Sequence, residues 1–286
     1  MTSRYINLKN IQLHCKVAGE GPLMILLHGF PEFWYAWRKQ IPVLAQKYTV
    51  VAPDMRGFNE SEKPKGIKNY RMELLVDDIR QLIAAFGQEK AIIVGHDWGG
   101  VVAWTLASYF PECVEQLIVL NMPNPAEMKK QLRTNPRQLL RSWYMAFFQI
   151  PVLPELYLKT FLKLVFNRSF KGWAYNPDAF SDEDIAVYVE SYRKKDVLTS
   201  TINYYRAARY SEFESGAKPQ KVPMPVLLLF GENDKALGKE LTYNTYSYCS
   251  GELKVQYVKN CSHWIQHEYP DLVNTAILDF LEKHRN

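Results

Sequence analysis

Short runs of mainly apolar residues constrain the fold of this chain more than any other feature. They cover residues 23–27, 48–52, 91–94, 117–120 and 226–230. Because apolar and polar residues do not alternate within them, these runs are typical of strands buried on both faces of a parallel sheet. Segments with helical periodicity lie between the runs, most clearly at 72–86, which Gly87 follows as a C-cap. The alternation predicts an α/β fold with a mostly parallel central sheet and helices on both faces.

The two ends of the chain complete the predicted sheet. Residues 6–8 and 11–17 alternate between apolar and polar side chains and lead into a turn rich in glycine. This pattern predicts a β-hairpin or meander at a sheet edge. Further along, strand patterns resume at Met224 and again at 254–258, and a C-terminal helix is predicted from 270 to 283.

The strand pattern is interrupted in the middle of the chain. Between residues 124 and 216 the apolar residues are spaced as in helices, with segments at 136–148, at 154–166, after a Ser181 cap that bonds Asp184, and at 196–210. We interpret this region as an inserted helical lid that is rich in aromatic residues. The predicted units are the N-terminal part of the core (1–123), the lid (124–217) and the C-terminal part of the core (218–286).

Composition excludes several classes of protein. With 286 residues and 47% hydrophobic residues, the chain can bury a full core. Its net charge of +5 is scattered rather than gathered in a basic run, which does not favour nucleic-acid binding. The four cysteines show no CxxC spacing, so neither a zinc site nor a disulfide framework is indicated. No secretory or membrane-spanning pattern is present, and we predict a cytoplasmic protein, a monomer or homodimer.

Asp97 is the first candidate for catalysis. The segment 91–100 is an apolar strand that runs into a glycine-flanked turn and then a helix, the context of a nucleophile elbow. A serine that attacked an sp3 carbon would leave an ether, which water cannot release. A carboxylate leaves an ester that water can hydrolyse, so Asp97 points to opening a C–O or C–halogen bond. The alternative is an ordinary turn aspartate.

Two more strand ends offer partners for Asp97. The strand before residue 231 leads to Asp234, a candidate to orient a base, and the strand at 254–258 leads to His263, a candidate base. Glu232 is an alternative orienting acid. Because catalytic groups of parallel sheets gather beyond the carboxyl ends of the strands, the three residues are expected to meet. Any one of them alone would more often be structural.

The anion site is predicted from the first buried strand. Residues 23–27 run into His28-Gly29-Phe30-Pro31, where such folds supply a backbone amide. We assign the N–H groups of Phe30 and Trp98 to an oxyanion hole. His28 and His96 are interpreted as buried structural partners of this turn.

These motifs together resemble the epoxide hydrolases of the α/β-hydrolase superfamily, and the resemblance covers essentially the whole chain. The residues that carry it are His28-Gly29-Phe30-Pro31, Asp54-Met55-Arg56-Gly57, Gly95-His96-Asp97-Trp98-Gly99-Gly100, Gly231-Glu232-Asn233-Asp234 and His263-Trp264. The order of nucleophile, acid and histidine is that of the superfamily. The family often has proline after the acid, whereas this chain has Lys235.

The resemblance implies two lid tyrosines that hydrogen-bond the epoxide oxygen. By motif these are Tyr144 and Tyr205, and Tyr204 is an adjacent alternative for the second. A phenol is protonated at neutral pH and can donate to a developing alkoxide. The family needs no metal or cofactor, and the chain shows no phosphate-binding or dinucleotide-binding glycine motif. The implied partners are a small apolar epoxide and water.

The hypothesis from sequence is hydrolysis of an epoxide to a vicinal diol through an alkyl ester on Asp97. The first alternative is a haloalkane dehalogenase, which shares the aspartate nucleophile. That family generally uses asparagine or tryptophan to bind the halide, and the asparagine would fall at Phe30, which has no side-chain donor. A second alternative is a binding protein that keeps the fold without catalysis, but no triad residue has been lost.

Overall fold

The computed structural model describes residues 1–210 and 218–284. In this part of the chain an eight-stranded sheet forms the centre, in the order β1-β2-β4-β3-β5-β6-β7-β8. The strands are β1 (Thr2–Asn7), β2 (Gln12–Ala18), β3 (Leu23–Leu27), β4 (Thr49–Pro53), β5 (Ala91–His96), β6 (Val114–Leu120), β7 (Val226–Gly231) and β8 (Leu253–Val258). β1 and β2 are antiparallel to each other and β2 is antiparallel to β4, whereas all pairs from β4 to β8 are parallel. The predicted mostly parallel sheet with an edge hairpin is confirmed.

Helices follow or connect these strands along the chain. They are α1 (Ile41–Leu44), α2 (Met72–Ala85), α3 (Trp98–Tyr109), α4 (Pro125–Thr134), α5 (Pro136–Arg141), α6 (Trp143–Phe147), α7 (Leu153–Phe170), α8 (Asp182–Arg193), α9 (Val197–Ala207), α10 (Ile265–Glu268) and α11 (Pro270–Lys283). The predicted C-terminal helix has the bounds that the sequence indicated. The helix predicted at 72–86 forms as α2, and Gly87 follows it with a φ of 71°.

Both faces of the sheet are buried, as the uninterrupted apolar runs predict. In β3, Ile25 and Leu27 pack into one apolar cluster with α2 and α3. Their neighbours Met24 and Leu26 point to the opposite face and pack with α1 and α11. Because successive strand residues face opposite sides, a strand without polar residues fits only a sheet that is covered by helices on both sides.

The lid is inserted between β6 and β7 and consists of α4 to α9. No strand occurs between residues 124 and 210, as predicted. The amphipathic segment predicted at 136–148 is helical but not continuous, because Ser142 has non-helical dihedral angles and separates α5 from α6. α4 was not predicted, although Asn124 caps it and a proline opens it. The predicted capping box is present, with Ser181 Oγ accepting from the Asp184 N–H at 3.1 Å.

Aromatic packing and polar contacts join the lid to the core. Tyr188 of α8 stacks on Phe170 of α7 with ring centroids 4.5 Å apart, and Phe170 also contacts Trp264 of the core. Lys235, where the family often has proline, donates from Nζ to the Gly172 carbonyl at 2.8 Å. The departure from the family pattern therefore places a cation that ties the loop of Asp234 to the lid. The predicted boundary at residue 217 lies outside the described residues.

Within residues 1–210 and 218–284, every helix is too short or too polar to cross a membrane.

Candidate active site

Asp97 lies in the turn between β5 and α3, where its backbone is strained. Its φ of 50° and ψ of −120° fall outside the regions that L-residues ordinarily adopt, at a cost on the order of 1–3 kcal/mol. The surrounding glycines make the turn possible. A Cβ on Gly29 would lie 2.4 Å from Asp97 Oδ1, and one on Gly99 would lie 2.1 Å from the Leu27 carbonyl oxygen. The structure thus holds the carboxylate above the sheet edge at a site where larger neighbours would collide.

One carboxylate oxygen of Asp97 contacts the predicted anion site. The Phe30 N–H donates to Asp97 Oδ1 at 2.8 Å. Trp98 is the first residue of α3, so its N–H has no acceptor within the helix. The positive end of the α3 dipole also points toward Asp97, which favours a negative charge there.

The other oxygen of Asp97 faces the candidate base. His263 Nε2 lies 3.5 Å from Asp97 Oδ2, and His263 Nδ1 lies 2.7 Å from Asp234 Oδ2. The side chain of Asp97 is 15% exposed, whereas those of His263 and Asp234 are 4% and 0% exposed. The three residues that the sequence placed on separate strand ends therefore form a single buried chain of polar contacts.

Asp234 is held by more than the histidine. Its Oδ1 accepts from the N–H groups of Ala236 and Leu237 at 2.7 and 2.9 Å, and its Oδ2 accepts from Asn121 Nδ2 at 2.8 Å. The alternative acid, Glu232, instead pairs with Lys239 at 3.0 Å. This geometry favours Asp234 over Glu232 as the partner of His263.

The charges around His263 decide its protonation. Burial lowers the pKa of the imidazole, but the carboxylates of Asp234 and Asp97 outweigh it and raise the pKa to about 10. For Asp234, burial raises the pKa, yet His263 and the hydrogen bonds of Asn121 and Leu237 hold it below its usual value. In the resting protein His263 is accordingly an imidazolium between two carboxylates at neutral pH.

His28 and His96, the two other histidines near the turn of Asp97, are fully buried and hydrogen-bonded. His28 Nε2 accepts from the Met55 N–H at 2.9 Å, so its proton is on Nδ1, which lies 3.0 Å from the Gly29 carbonyl. Burial lowers the pKa of His28. His96 lies 2.9 Å from the His263 carbonyl through Nε2 and 3.0 Å from a Glu32 oxygen through Nδ1. His96 thus supports the backbone of the catalytic candidate.

The lid brings Tyr144 and Tyr205 over Asp97. Tyr144 belongs to α6 and Tyr205 to α9, and their rings meet edge to face with centroids 5.9 Å apart. Tyr205 also packs edge to face on Trp98 at 5.1 Å. Burial, and then the negative charge of Asp97, raises the pKa of both phenols above the ordinary value. Both hydroxyls therefore stay protonated and available as donors at neutral pH.

The adjacent Tyr204 has a different environment. Its hydroxyl donates to the Arg56 carbonyl at 2.8 Å, and its ring packs against Phe58 of the core. Tyr204 does not line the cavity that holds Asp97, whereas Tyr205 does. The placement favours Tyr205 as the second lid donor.

A cavity of about 600 Å³ lies against Asp97 and the two lid tyrosines. Its wall includes Asp97, Tyr144 and Tyr205, and is otherwise mainly apolar, with Trp104, Met122 and other hydrophobic side chains. This volume is in the range of pockets that bind small organic ligands. The arrangement brings one carboxylate and two phenols together in the wall of one apolar space.

Sequence reasoning missed two residues that support the site. Asn121 follows the end of β6 and bonds Asp234, so the rule that selected the other strand ends would also have found it. Glu32 follows the Phe30 turn and accepts from His267 Nε2 at 2.6 Å and from the Tyr188 hydroxyl at 3.2 Å. Nothing in the local sequence marks Glu32, because its partners come from distant segments.

The fold and the site together define a class of protein. The sequence matches the α/β hydrolase fold family over residues 22–270, and the chain belongs to that family. Its relatives place it with the epoxide hydrolases.

Relatives and solved structures agree with this assignment. The chain is 42% identical to the AB hydrolase superfamily protein YfhM of Bacillus subtilis, over 98% of this chain and 97% of the relative. It is 37% identical to Epoxide hydrolase 4 of Homo sapiens, over 99% of this chain and 79% of the relative. A crystal structure of an epoxide hydrolase from Bacillus megaterium superposes with a TM-score of 0.86 at 32% identity, covering 98% of this chain and 100% of that chain. The resemblance stated from the motifs is confirmed.

Proposed function

We propose that this protein hydrolyses epoxides to vicinal diols through a covalent ester on Asp97. The observation that carries the proposal is the position of the Asp97 carboxylate, which lies 3.5 Å from His263 Nε2 and lines an apolar cavity together with the phenols of Tyr144 and Tyr205. The names of the relatives, among them Epoxide hydrolase 4, support the substrate class.

In the first step Asp97 Oδ2 attacks an epoxide carbon. The C–O bond of the ring breaks, and the departing oxygen takes a proton from the lid phenols, which the raised pKa keeps protonated. Oδ2 is the attacking atom because Oδ1 is already hydrogen-bonded to the Phe30 N–H. The resulting ester has Oδ1 as its carbonyl oxygen, which lies in the oxyanion hole from the start.

In the second step water attacks the Cγ atom of Asp97. Esterification removes the negative charge of Asp97, which is one of the causes of the raised pKa of His263. The phenol that protonated the epoxide oxygen is left as a phenolate, and the proton that His263 loses returns to it by way of solvent. The neutral ring of His263 can then accept a proton from water, while Asp234 orients the ring and stabilises its positive charge. The Phe30 and Trp98 N–H groups stabilise the negative charge on Oδ1. The intermediate collapses, the Oδ2–Cγ bond breaks, and the diol leaves with a proton from His263.

Intact-protein mass spectrometry of His263→Gln with styrene oxide tests this mechanism. We expect a stable adduct with the mass of the epoxide, because the first step needs no base and the second does. The matched control, Asp97→Ala, should carry no adduct. Absence of an adduct from His263→Gln, with protein that melts like the native chain, would contradict the mechanism.

The origin of the product oxygen gives a second test. A single turnover in heavy-oxygen water should leave the label in Asp97 and not in the diol, because the oxygen that leaves with the product is Oδ2 of the protein. Label found only in the diol would indicate direct attack of water on the epoxide. Release of halide from chloro- or bromoalkanes without diol formation from styrene oxide would instead support a haloalkane dehalogenase.

A further inference from the structure

The outer surface of the lid exposes large apolar side chains that the proposed reaction does not use. Trp143 is 63% exposed, Val152 72%, Leu156 58%, Phe161 46% and Leu164 64%. Scattered single apolar residues on a surface are ordinary, whereas a continuous exposed patch marks a contact site.

These side chains are continuous across α6 and α7. Ring centroids are 6.1 Å apart for Trp143 and Phe147, 5.9 Å for Phe147 and Tyr157, and 5.4 Å for Tyr157 and Phe161. The aromatic row thus links the two helices, and the exposed leucines of α7 lie beside it. We call this surface, formed by the exposed apolar residues of 143–164, the lid apolar face.

α7 carries apolar side chains on its exposed side as well as on its buried side. Leu158, Leu162 and Phe166 point into the lid and are buried. A surface helix normally has polar residues on the side opposite its buried residues. In α7 much of that opposite side is formed by exposed apolar residues. Lys159 and Lys163 are both exposed, one before and one after the kink of α7 at Phe161.

The chain segment that carries the lid apolar face is rich in basic residues. Residues 128–177 contain nine lysines and arginines and a single acidic residue, Glu155. Arg206 holds that carboxylate with two contacts, at 2.5 and 3.0 Å. Lys159 and Lys163 take part in none of the ion pairs found among residues 1–210 and 218–284. Asp182 pairs with Lys171, and the charge of Lys163 also helps to lower the pKa of its carboxyl. Within the described part of the chain, Lys159 and Lys163 therefore keep ammonium groups that have no direct ion-pair partner and that an anionic surface could meet.

We propose that the lid apolar face docks on an anionic phospholipid surface. Aromatic and aliphatic side chains bordered by lysine and arginine are the composition with which helices lie in a membrane interface. The apolar side chains would enter the boundary of the acyl chains, while the basic residues contact lipid phosphates. A second copy of this chain is a poorer occupant, because it would bring the same positive charge against this face.

The position of the face relative to the cavity gives the docking a consequence. Tyr144 and Met145, which follow Trp143 in α6, line the cavity of Asp97. A lipid surface at the lid apolar face would therefore lie beside the wall of the substrate cavity, and apolar compounds dissolved in the lipid would be concentrated there.

Sedimentation with vesicles tests the proposal. We expect the native chain to sediment with vesicles of phosphatidylcholine and phosphatidylglycerol, and far less with phosphatidylcholine alone. Lys159→Glu/Lys163→Glu should weaken the partition about tenfold or more, because each basic group near an anionic surface contributes attraction. Leu156→Asn/Leu164→Asn should weaken it as well.

The matched controls change equally exposed residues of the core, Lys254→Glu/Lys259→Glu and Tyr243→Ser/Tyr246→Ser, and should bind like the native chain.

Thermal unfolding checks the folding of each variant, so the test does not depend on epoxide hydrolysis. The proposal is overturned if the native chain does not sediment with the anionic vesicles, or if the core variants lose as much binding as the lid variants. It is also overturned if sedimentation equilibrium shows a dimer that the lid variants abolish, because the face would then be covered by a second copy.

Discussion

The core and the lid contribute different kinds of groups to one candidate active site. The core supplies charges: the Asp97 carboxylate, the His263 imidazolium and the Asp234 carboxylate, each fixed at a strand end by backbone hydrogen bonds or close packing. The lid supplies neutral donors, Tyr144 and Tyr205, held by aromatic contacts. The core thus holds the ionisable groups of the site, whereas the lid adds two phenol donors to the wall of the cavity.

This division predicts that core and lid variants fail at different steps. Substitution of the core residues that activate water should slow hydrolysis of the ester. Substitution of the lid residues that bind the epoxide oxygen should slow formation of the ester.

The largest effect is expected for the core variant Asp234→Asn. Loss of the charge lowers the basicity of His263 and disturbs its tautomer, so hydrolysis of the ester should slow by about ten-thousandfold. Formation of the ester should change much less, and the intermediate should accumulate, as quenched samples examined by mass spectrometry would reveal. Glu232→Gln is the matched control and should behave like the native chain. If Asp234→Asn slowed ester formation and left its hydrolysis intact, the division of roles would be wrong.

A smaller effect is expected for the lid variants Tyr144→Phe and Tyr205→Phe. Each removes one donor to the developing alkoxide and should slow ester formation by about a hundredfold, measured as the burst of ester in single turnovers. Tyr204→Phe is the matched control, since it removes only the hydrogen bond to the Arg56 carbonyl. That variant should lose about 1 kcal/mol of stability and keep the native rate. A slow Tyr204→Phe with a normal Tyr205→Phe would reverse the assignment.

The smallest effect is expected from pH, which should separate ester formation from ester hydrolysis in the native chain without any substitution. Asp234 and Asp97 raise the pKa of His263 to about 10 in the free protein, and esterification removes the contribution of Asp97. Ester hydrolysis needs neutral His263, so falling pH should slow it, by about tenfold per unit once the ring is protonated in the ester. Ester formation needs protonated phenols and no neutral imidazole, and should persist at the same pH.

Rapid quenching at neutral and acidic pH measures this directly. The fraction of native protein present as ester should rise as the pH falls. A fraction that stays constant, or falls together with the rate of ester formation, would show that His263 does not act on the second step alone.

Local sequence patterns were sufficient for the repeating parts of the fold. Buried strands, α2 and α11 have short-range signals, namely apolar runs, helical spacing and capping residues, and these signals agree with the tertiary structure. The lid was harder. Residues 136–148 have helical spacing throughout, but the structure interrupts them at Ser142, where Gln138 bonds both the Ser142 hydroxyl and the Ala236 carbonyl of the core. A contact with a residue about a hundred positions away leaves no local pattern.

The sequence by itself determined the chemistry that this chain can perform: a carboxylate in a strand–turn–helix segment, an acid and a histidine at later strand ends, and a fold that gathers strand ends at one edge. Only the tertiary structure decided between the paired candidates: Asp234 rather than Glu232 contacts His263, and Tyr205 rather than Tyr204 lines the cavity. The physical reason is that residue type and order are written along the chain. Burial, charge and hydrogen bonding instead depend on groups from distant segments, such as Asn121 and the Arg56 carbonyl, that only folding brings together.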